Sequence, residues 1–150
     1  MSRTLVLLKP DAVQRALVGD LIARLERRGL KIVGMKLMQV SEELAHRHYG
    51  EHEGKPFFPR LVRFITSSPI VAMVLEGENA VQLVRATMGQ TSPVESTPGS
   101  VRGDYGMTIG MNLVHGSDSD ESAQREISLF FSPDEILSYE RDVDKWIIES

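Results

Sequence analysis

Short apolar runs alternate with amphipathic stretches from one end of the chain to the other, with no low-complexity linker and no internal repeat. One long glycine- and proline-rich interval interrupts the pattern late in the chain. These observations predict an α+β fold. With one extra helix and that interval set aside, the order reduces to βαββαβ, the split arrangement of a ferredoxin-like sandwich. The expectation is a four-stranded antiparallel sheet with helices on its faces and a long irregular loop before the last strand. The order of the strands within the sheet is not carried by the pattern.

Thr4 to Leu8 is an apolar run closed by Lys9-Pro10, which reads as a buried strand. Asp20 is placed to cap a helix whose Leu21, Ile22 and Leu25 form one apolar face, with Gly29 as its stop. Leu30 to Val40 reads as a second strand, with Val33, Met35 and Leu37 on one face and Gly34 and Lys36 on the other. Ser41 opens a helix from Glu42 to about Tyr49 with two acids in its first turn. Pro59 starts a helix bearing Leu61, Val62 and Ile65, ended near Ser67-Ser68-Pro69. Ile70 to Leu75 lacks alternation, as a strand buried on both faces does. Asn79 is the expected cap of a helix with Ala80, Val81, Val84 and Met88 inward and Gly89 as its stop. From Thr91 to Met111 no period survives Pro93, Pro98, Gly99, Gly103, Gly106 and Gly110, and a loop of that length in a compact fold is usually functional or a sign of misassigned elements. Asn112 to His115 reads as a short strand, and a last helix starts at about Ser119 with Ala123, Ile127 and Phe130 or Phe131 inward.

The chain has 150 residues, the usual size of one domain, so one domain spanning 1–150 is expected. An apolar fraction of 41% with 25% charged residues argues against disorder. The absence of cysteine excludes a disulfide scaffold, a thiolate zinc site and a cysteine nucleophile. The longest apolar run, Ile70 to Leu75, is far too short to span a bilayer, and Leu5 to Leu8 is cut off too soon for a secretory segment. A water-soluble cytoplasmic protein without a membrane partner is therefore expected. Residues 1–115 carry 14 basic and 11 acidic side chains, and residues 116–150 carry 3 and 10, so neither part has the dense basic stripe of a dedicated nucleic-acid binder. The cluster Arg24, Arg27 and Arg28 reads as a solvated helix face.

The common phosphate-binding glycine motifs, the protein-kinase signatures and the serine-hydrolase elbow are all missing. His46, His48 and His52 are spaced i, i+2, i+6, which puts only His48 and His52 on one helix face. A metal reading lacks a third ligand of assured geometry. The competing readings are a polar face running into a loop, or one histidine at an element end donating to a phosphate. His115 ends an apolar strand before Gly116 and Ser117, at a strand-to-helix corner. Gly116 permits a tight turn there. Glu126, in the next helix on the side of Ser122 and Ala123, is within reach to bond one imidazole nitrogen and leave the other free as a nucleophile. On spacing alone, a structural corner histidine is the plainer reading. Lys9, Arg85 and Arg102 are separated cations which singly read as surface charges, but with His115 they make a pocket suited to phosphoryl transfer. Phe57 and Phe58 read as core, or as a ring offered to a base.

Several segments resemble the nucleoside diphosphate kinase family. They are Arg3-Thr-Leu-Val-Leu-Leu-Lys-Pro-Asp-Ala-Val-Gln-Arg, Pro56-Phe-Phe, Ser68-Pro-Ile-Val-Ala-Met-Val-Leu-Glu-Gly, Gly89-Gln-Thr-Ser-Pro, Arg102-Gly-Asp-Tyr-Gly and Asn112-Leu-Val-His-Gly-Ser-Asp-Ser. The match runs in register from about residue 3 to the C-terminus and favours the nucleophilic reading of His115. The resemblance implies that His115 is the phosphorylated histidine, Glu126 the carboxylate that orients it and Ser117 the hydroxyl beside it. It also implies that Lys9 and Asn112 hold the ribose hydroxyls, Lys9 lying near the transferred phosphate as well. By the same resemblance His52, Arg85, Thr91 and Arg102 bind phosphates, Phe57 stacks on the base near Leu61 and Ile109, and Tyr49 lines the site. Met111, Ala16, Ser92 and Asp120 depart from the commonest family pattern, but none replaces a residue assigned to chemistry.

The implied activity moves the terminal phosphoryl group of a nucleoside triphosphate to a diphosphate by a ping-pong route through phosphohistidine, maintaining NTP and dNTP pools. ATP, GTP and other nucleotides are the implied partners, because every base offers a π-face for stacking. Mg²⁺ is the implied cofactor, carried mainly by nucleotide phosphates without a protein cage. The tail Trp146-Ile-Ile-Glu resembles that of hexameric members, which implies a homohexamer, with a homotetramer as the alternative. Two other classes remain in view: a non-catalytic ferredoxin-like nucleotide-binding module, opposed by the intact His115, Glu126 and Ser117 set, and a nucleic-acid binder, opposed by the charge census.

Overall fold

The computed structural model describes residues 1–149. Strands β1 (Ser2–Leu8), β2 (Lys31–Met38), β3 (Ile70–Gly77) and β4 (Val114–Gly116) form one antiparallel sheet in the order β2-β3-β1-β4. The helices are α1 (Pro10–Gln14), α2 (Val18–Arg27), α3 (Glu42–His48), α4 (Phe58–Ile65), α5 (Ala80–Met88), α6 (Val101–Tyr105) and α7 (Asp120–Phe130). The α+β sandwich expected from the pattern is the observed fold, with β1 and β3 at the centre of the sheet.

Central position explains the apolar runs. Leu5, Val6, Leu7 and Leu8 are completely buried. Successive residues feed opposite cores, and a fully buried leucine contributes about 1.5–3 kcal/mol. Val6 and Leu8 join Val71, Met73 and Leu75 under α1, α2, α5 and α6, where Ala12, Leu25, Val84 and Val101 pack. Leu5 and Leu7 join Ala72 and Val74 under α3, α4 and α7, where Ala45, Val62 and Phe130 pack. Both faces of the middle strands are covered, so neither strand shows alternation.

Several local expectations fail for identifiable reasons. The second strand carries a bulge between Ile32 and Gly34, which puts Val33 in the α3/α4/α7 core and leaves Met35 and Leu37 on the other face. Those two side chains are 53% and 68% exposed on an edge strand, so the three do not share a buried face. Helix α2 begins at Val18, before Asp20, whose carboxylate instead accepts from Arg24 and Tyr105. Asn79 precedes α5 with left-handed φ/ψ and makes no side-chain cap. The last strand is Val114–Gly116, not Asn112–His115, because Leu113 has φ +75° and breaks the ladder.

Lys9-Pro10 does more than end β1. Proline needs no N–H in the first turn of a helix, and α1 starts there. The interval from Thr91 to Met111 is not structureless, since it contains a 3₁₀ turn (Pro93–Glu95) and α6. Ser100 caps α6 by accepting from the Gly103 N–H at 3.1 Å, and any Cβ at Gly103 would collide with the Thr97 carbonyl. Arg24 is not a simple solvated charge either. It donates to Asp104 at 2.6 Å and lies 4.8 Å over the Tyr105 ring, tying α2 to α6.

Candidate active site

His115 occupies the centre of β4, paired with Leu7, and therefore faces the α3/α4/α7 layer. Gly116 follows because α5 presses on it, not to make a turn: a Cβ there would sit 2.6 Å from Met88 Sδ and 2.8 Å from Val84 Cγ1. The last helix starts on the Ser119 cap, whose hydroxyl accepts from the Ser122 N–H at 3.1 Å. From that start Ala123, Glu126 and Phe130 recur on the buried side. Glu126 Oε1 meets His115 Nε2 at 2.8 Å and accepts from the Ser117 hydroxyl at 2.8 Å. Ser117 is fully buried, and its Oγ also accepts from the Leu5 N–H at 3.4 Å. Its hydroxyl is thus directed at the carboxylate. Burial pushes the Glu126 pKa up, but the His115 and Ser117 hydrogen bonds and the His115 charge outweigh it and hold the carboxyl below its usual range. An ionised carboxylate only accepts, so Nε2 carries a hydrogen, and in the neutral form of the ring the lone pair is on Nδ1. Among the described residues nothing hydrogen-bonds Nδ1.

The cations converge from separate elements. Lys9, at the junction of β1 and α1, extends Nζ to Asn112 Oδ1 at 2.6 Å, and its own N–H bonds the Leu113 carbonyl at 2.9 Å. Asn112 in turn donates to the Thr91 carbonyl at 3.0 Å. Arg102, buried on α6, donates to the carbonyls of Asn112 at 3.1 Å, Val114 at 2.6 Å, Gly89 at 3.4 Å and Gln90 at 3.3 Å. Arg85 on α5 donates to the Gly116 carbonyl at 3.3 Å. Within the described residues' ion pairs, Lys9, Arg85 and Arg102 have no carboxylate partner. Burial and the Arg102 charge push Lys9 down to about 8. Burial and Arg85 push Arg102 down to about 10. Crowded, unneutralised cations are the electrostatic condition for an anion site.

A run of rings leads away from His115. The His48 ring lies 4.9 Å from His115 and 4.6 Å from Tyr49, and Tyr49 lies 6.5 Å from His52. His52 lies 5.3 Å from Phe57, which is 46% exposed. Burial, with the Glu126 charge, pushes Tyr49 up to about 12. Leu61 stands one turn beyond Phe57 on α4 and is half-buried. Ile109 is 60% exposed in the segment that crosses the start of α4, where a Cβ at Gly110 would lie 3.2 Å from the Arg60 guanidinium. His115, Glu126 and Ser117 thus form one bonded cluster. Lys9, Asn112 and Thr91 form another, to which Arg102 is tied through the Asn112 carbonyl. Tyr49, His52 and Phe57 line one flank, and Leu61 and Ile109 join by position rather than by a bond.

The three early histidines do not assemble. His46 points outward against the Phe58 ring at 5.2 Å, His52 pairs with Glu51 at 3.6 Å, and His48 is 4% exposed on the inner face of α3. Burial, and next the His115 charge, push His48 down to about 3. Sequence reasoning did not place His48 against His115, because the contact joins α3 to β4. Asp11 also went unassigned. Its Oδ2 accepts from the Leu113 N–H at 3.0 Å, which holds the left-handed corner between Asn112 and His115. Its position two residues after Lys9 was the only available signal.

A family profile described as nucleoside diphosphate kinase matches residues 2–136. A nucleoside diphosphate kinase of Pelotomaculum thermopropionicum is 58% identical over 149 residues, covering 99% of this chain and 100% of its own. One from Staphylococcus aureus shows the same identity and coverage. A solved nucleoside diphosphate kinase of Halobacterium salinarum, in complex with CDP, superposes with a TM-score of 0.96 at 53% identity and 99% coverage of both chains. A nucleoside diphosphate kinase family protein of Babesia bovis gives 0.97 at 42% identity, covering 99% of this chain and 100% of its own. The chain belongs to the nucleoside diphosphate kinase family and transfers phosphoryl groups between nucleoside triphosphates and nucleoside diphosphates.

Proposed function

We propose that this transfer runs in two half-reactions through His115. The observation that carries the reading is the imidazole held by Glu126 on Nε2, with Nδ1 unbonded among the described residues, and cations gathered on neighbouring elements without carboxylate partners among them. In the first half-reaction the Nδ1 lone pair forms a bond to the terminal phosphorus as the bond to the diphosphate oxygen breaks, and the diphosphate departs. In the second, a new diphosphate takes the group by the reverse step. The ring becomes cationic on phosphorylation, and the Glu126 carboxylate stabilises that charge while Ser117 keeps the carboxylate in place. Lys9, Arg85, Arg102, Thr91 and His52 receive phosphate oxygens, Lys9 and Asn112 the ribose hydroxyls. Phe57, with Leu61, Ile109 and Tyr49 around it, receives the base. The Halobacterium relative binds CDP, and a stacking ring accepts any base, which supports a broad nucleotide range that includes ATP and GTP.

Mg²⁺ fits this site as an ion brought by the nucleotide. Glu126 is engaged by His115 and Ser117, and Asp11 is buried with Oδ2 on the Leu113 N–H, so phosphate oxygens would be its main ligands. It would neutralise charge as the phosphoryl group moves. We further propose one domain over residues 1–150, a cytoplasmic setting and a role in maintaining NTP and dNTP pools. A homohexamer, with a homotetramer as the alternative, is supported by apolar side chains left in the open: Leu37, Val94, Met107 and Trp146 are 68% or more exposed. No helix among the described residues is long and apolar enough to cross a membrane. Incubation with γ-labelled ATP tests the central step. The protein should take up label that survives alkali and is lost in acid, and label stable to acid would rule out phosphohistidine.

A further inference from the structure

His48 has no part in the reaction just described, yet its burial is costly. Both ring nitrogens are buried without a hydrogen-bond partner among the described residues, and the residue is 4% exposed. A buried donor or acceptor left unpaired costs roughly 1–3 kcal/mol. If the position only needed to fill space against the His115, Phe130 and Tyr49 rings, a phenylalanine would do so without that cost. The ring instead turns toward the His115–Glu126 pair, and donor atoms of His48, His115 and Glu126 all lie within 4.8 Å of one another.

We propose that these three side chains form a binding site for a borderline divalent transition ion such as Zn²⁺, and that its occupation switches off His115. The consequence rests on the reading of His115 as the nucleophile; the site itself does not. Two imidazole nitrogens and one carboxylate oxygen suit zinc, with water as the fourth ligand from the open side of His115, whose side chain is 25% exposed. Mg²⁺ demands six oxygens and would not enter, so the ion carried by nucleotides does not occupy this site. In the ion-free protein the ring hydrogen lies on Nε2 and points at Glu126. Zinc bound between Nε2, Glu126 and His48 displaces that hydrogen, and a neutral ring then carries it on Nδ1. No proton is gained or lost, but the lone pair that would attack phosphorus is gone. A dication on the Glu126 carboxylate also cancels the charge that would stabilise a phosphorylated ring.

The test is zinc titration of the nucleotide-free, full-length protein in Mg²⁺ buffer by calorimetry, beside ¹⁵N NMR of the histidine rings. Wild type should take one Zn²⁺ per chain, with the His115 hydrogen moving from Nε2 to Nδ1. His48→Phe, which preserves the ring packing, should weaken zinc at least about ten- to a hundredfold, the range already seen when only a supporting partner of a metal ligand is lost. His48→Gln serves if the phenylalanine variant does not fold, judged by circular dichroism. Protein loaded with zinc and then given excess Mg-ATP should lose phosphohistidine formation, while His48→Phe at the same zinc concentration keeps its own zinc-free rate. Equal zinc affinity in wild type and His48→Phe would overturn the site, as would the absence of stoichiometric binding. Zinc that binds through His48 but leaves phosphorylation unchanged would overturn the switch. His115→Ala, tested for label without zinc, tells that result apart from an error about the nucleophile.

Discussion

At the residue scale, His115 stands on β4 with a side chain that is 25% exposed and a ring that, among the described residues, is hydrogen-bonded to Glu126 alone. Replacing it removes the nucleophile but little packing, so His115→Ala should abolish NTP:NDP exchange and leave the circular-dichroism spectrum and Tm close to wild type. Exchange by the folded variant would refute the covalent route. Glu126→Gln keeps the shape and a hydrogen bond but loses the charge that favours a cationic ring. It should slow phosphorylation of His115 ten- to a thousandfold, a rough range for a positioned supporting group, and leave ADP affinity unchanged. Stopped-flow measurement of the first half-reaction, with ADP titration alongside, separates the two effects. Lys9 supplies a pH signature. Its pKa is lowered to about 8, so the free enzyme loses this charge as pH rises through that value, well below the ordinary lysine range. A bound phosphate favours the charged form and moves the loss higher. The fall of kcat/KM above about pH 8 should therefore precede any fall in kcat, and coincident alkaline limbs would exclude Lys9 as their source.

At the scale of elements, the site hangs on one corner. Asp11 of α1, Lys9 before it and Arg102 of α6 all grip residues 112–114, where Leu113 takes φ +75°. Arg102 therefore does two jobs, spending its donors on four carbonyls while leaving its charge unneutralised. Arg102→Ala should slow transfer by about 10²–10³ through the lost charge, and also lower Tm, since each buried carbonyl left unpaired costs roughly 1–3 kcal/mol. A rate loss without any loss of Tm would show that the carbonyl contacts carry no stability. The corner was only half legible in the sequence. Lys9 announces itself at the end of β1 and His115 by its place before Gly116-Ser117, and the Ser119 cap fixes the start of α7 and with it the inward face of Glu126. The grip of Asp11 on Leu113 spans about a hundred residues and has no local signature. The bulge in β2 was hidden for a related reason: alternation reads the same on paper whether or not one residue drops out of register.

At the scale of the whole molecule, the sheet order β2-β3-β1-β4 leaves β2 at an edge with Met35 and Leu37 exposed. The C-terminal segment crosses that strand, with the Leu137 N–H on the Val33 carbonyl at 2.8 Å and Arg141 on the Gly29 carbonyl at 3.0 Å. So much exposed apolar surface predicts self-association, and sedimentation equilibrium should find a particle of six 16.7-kDa chains. A particle of four would select the tetramer, and a monomer at micromolar concentration would refute both. The amino-acid order by itself determined which segments are strands and helices wherever one periodicity ran unbroken, because period and capping are local properties. It also determined the family, through motifs that lie in register along the chain. The tertiary structure alone decided the strand order, the bulge and the meeting of His48 with His115. Each of these depends on contacts between residues far apart in sequence, and no local pattern records which distant partner a side chain will find.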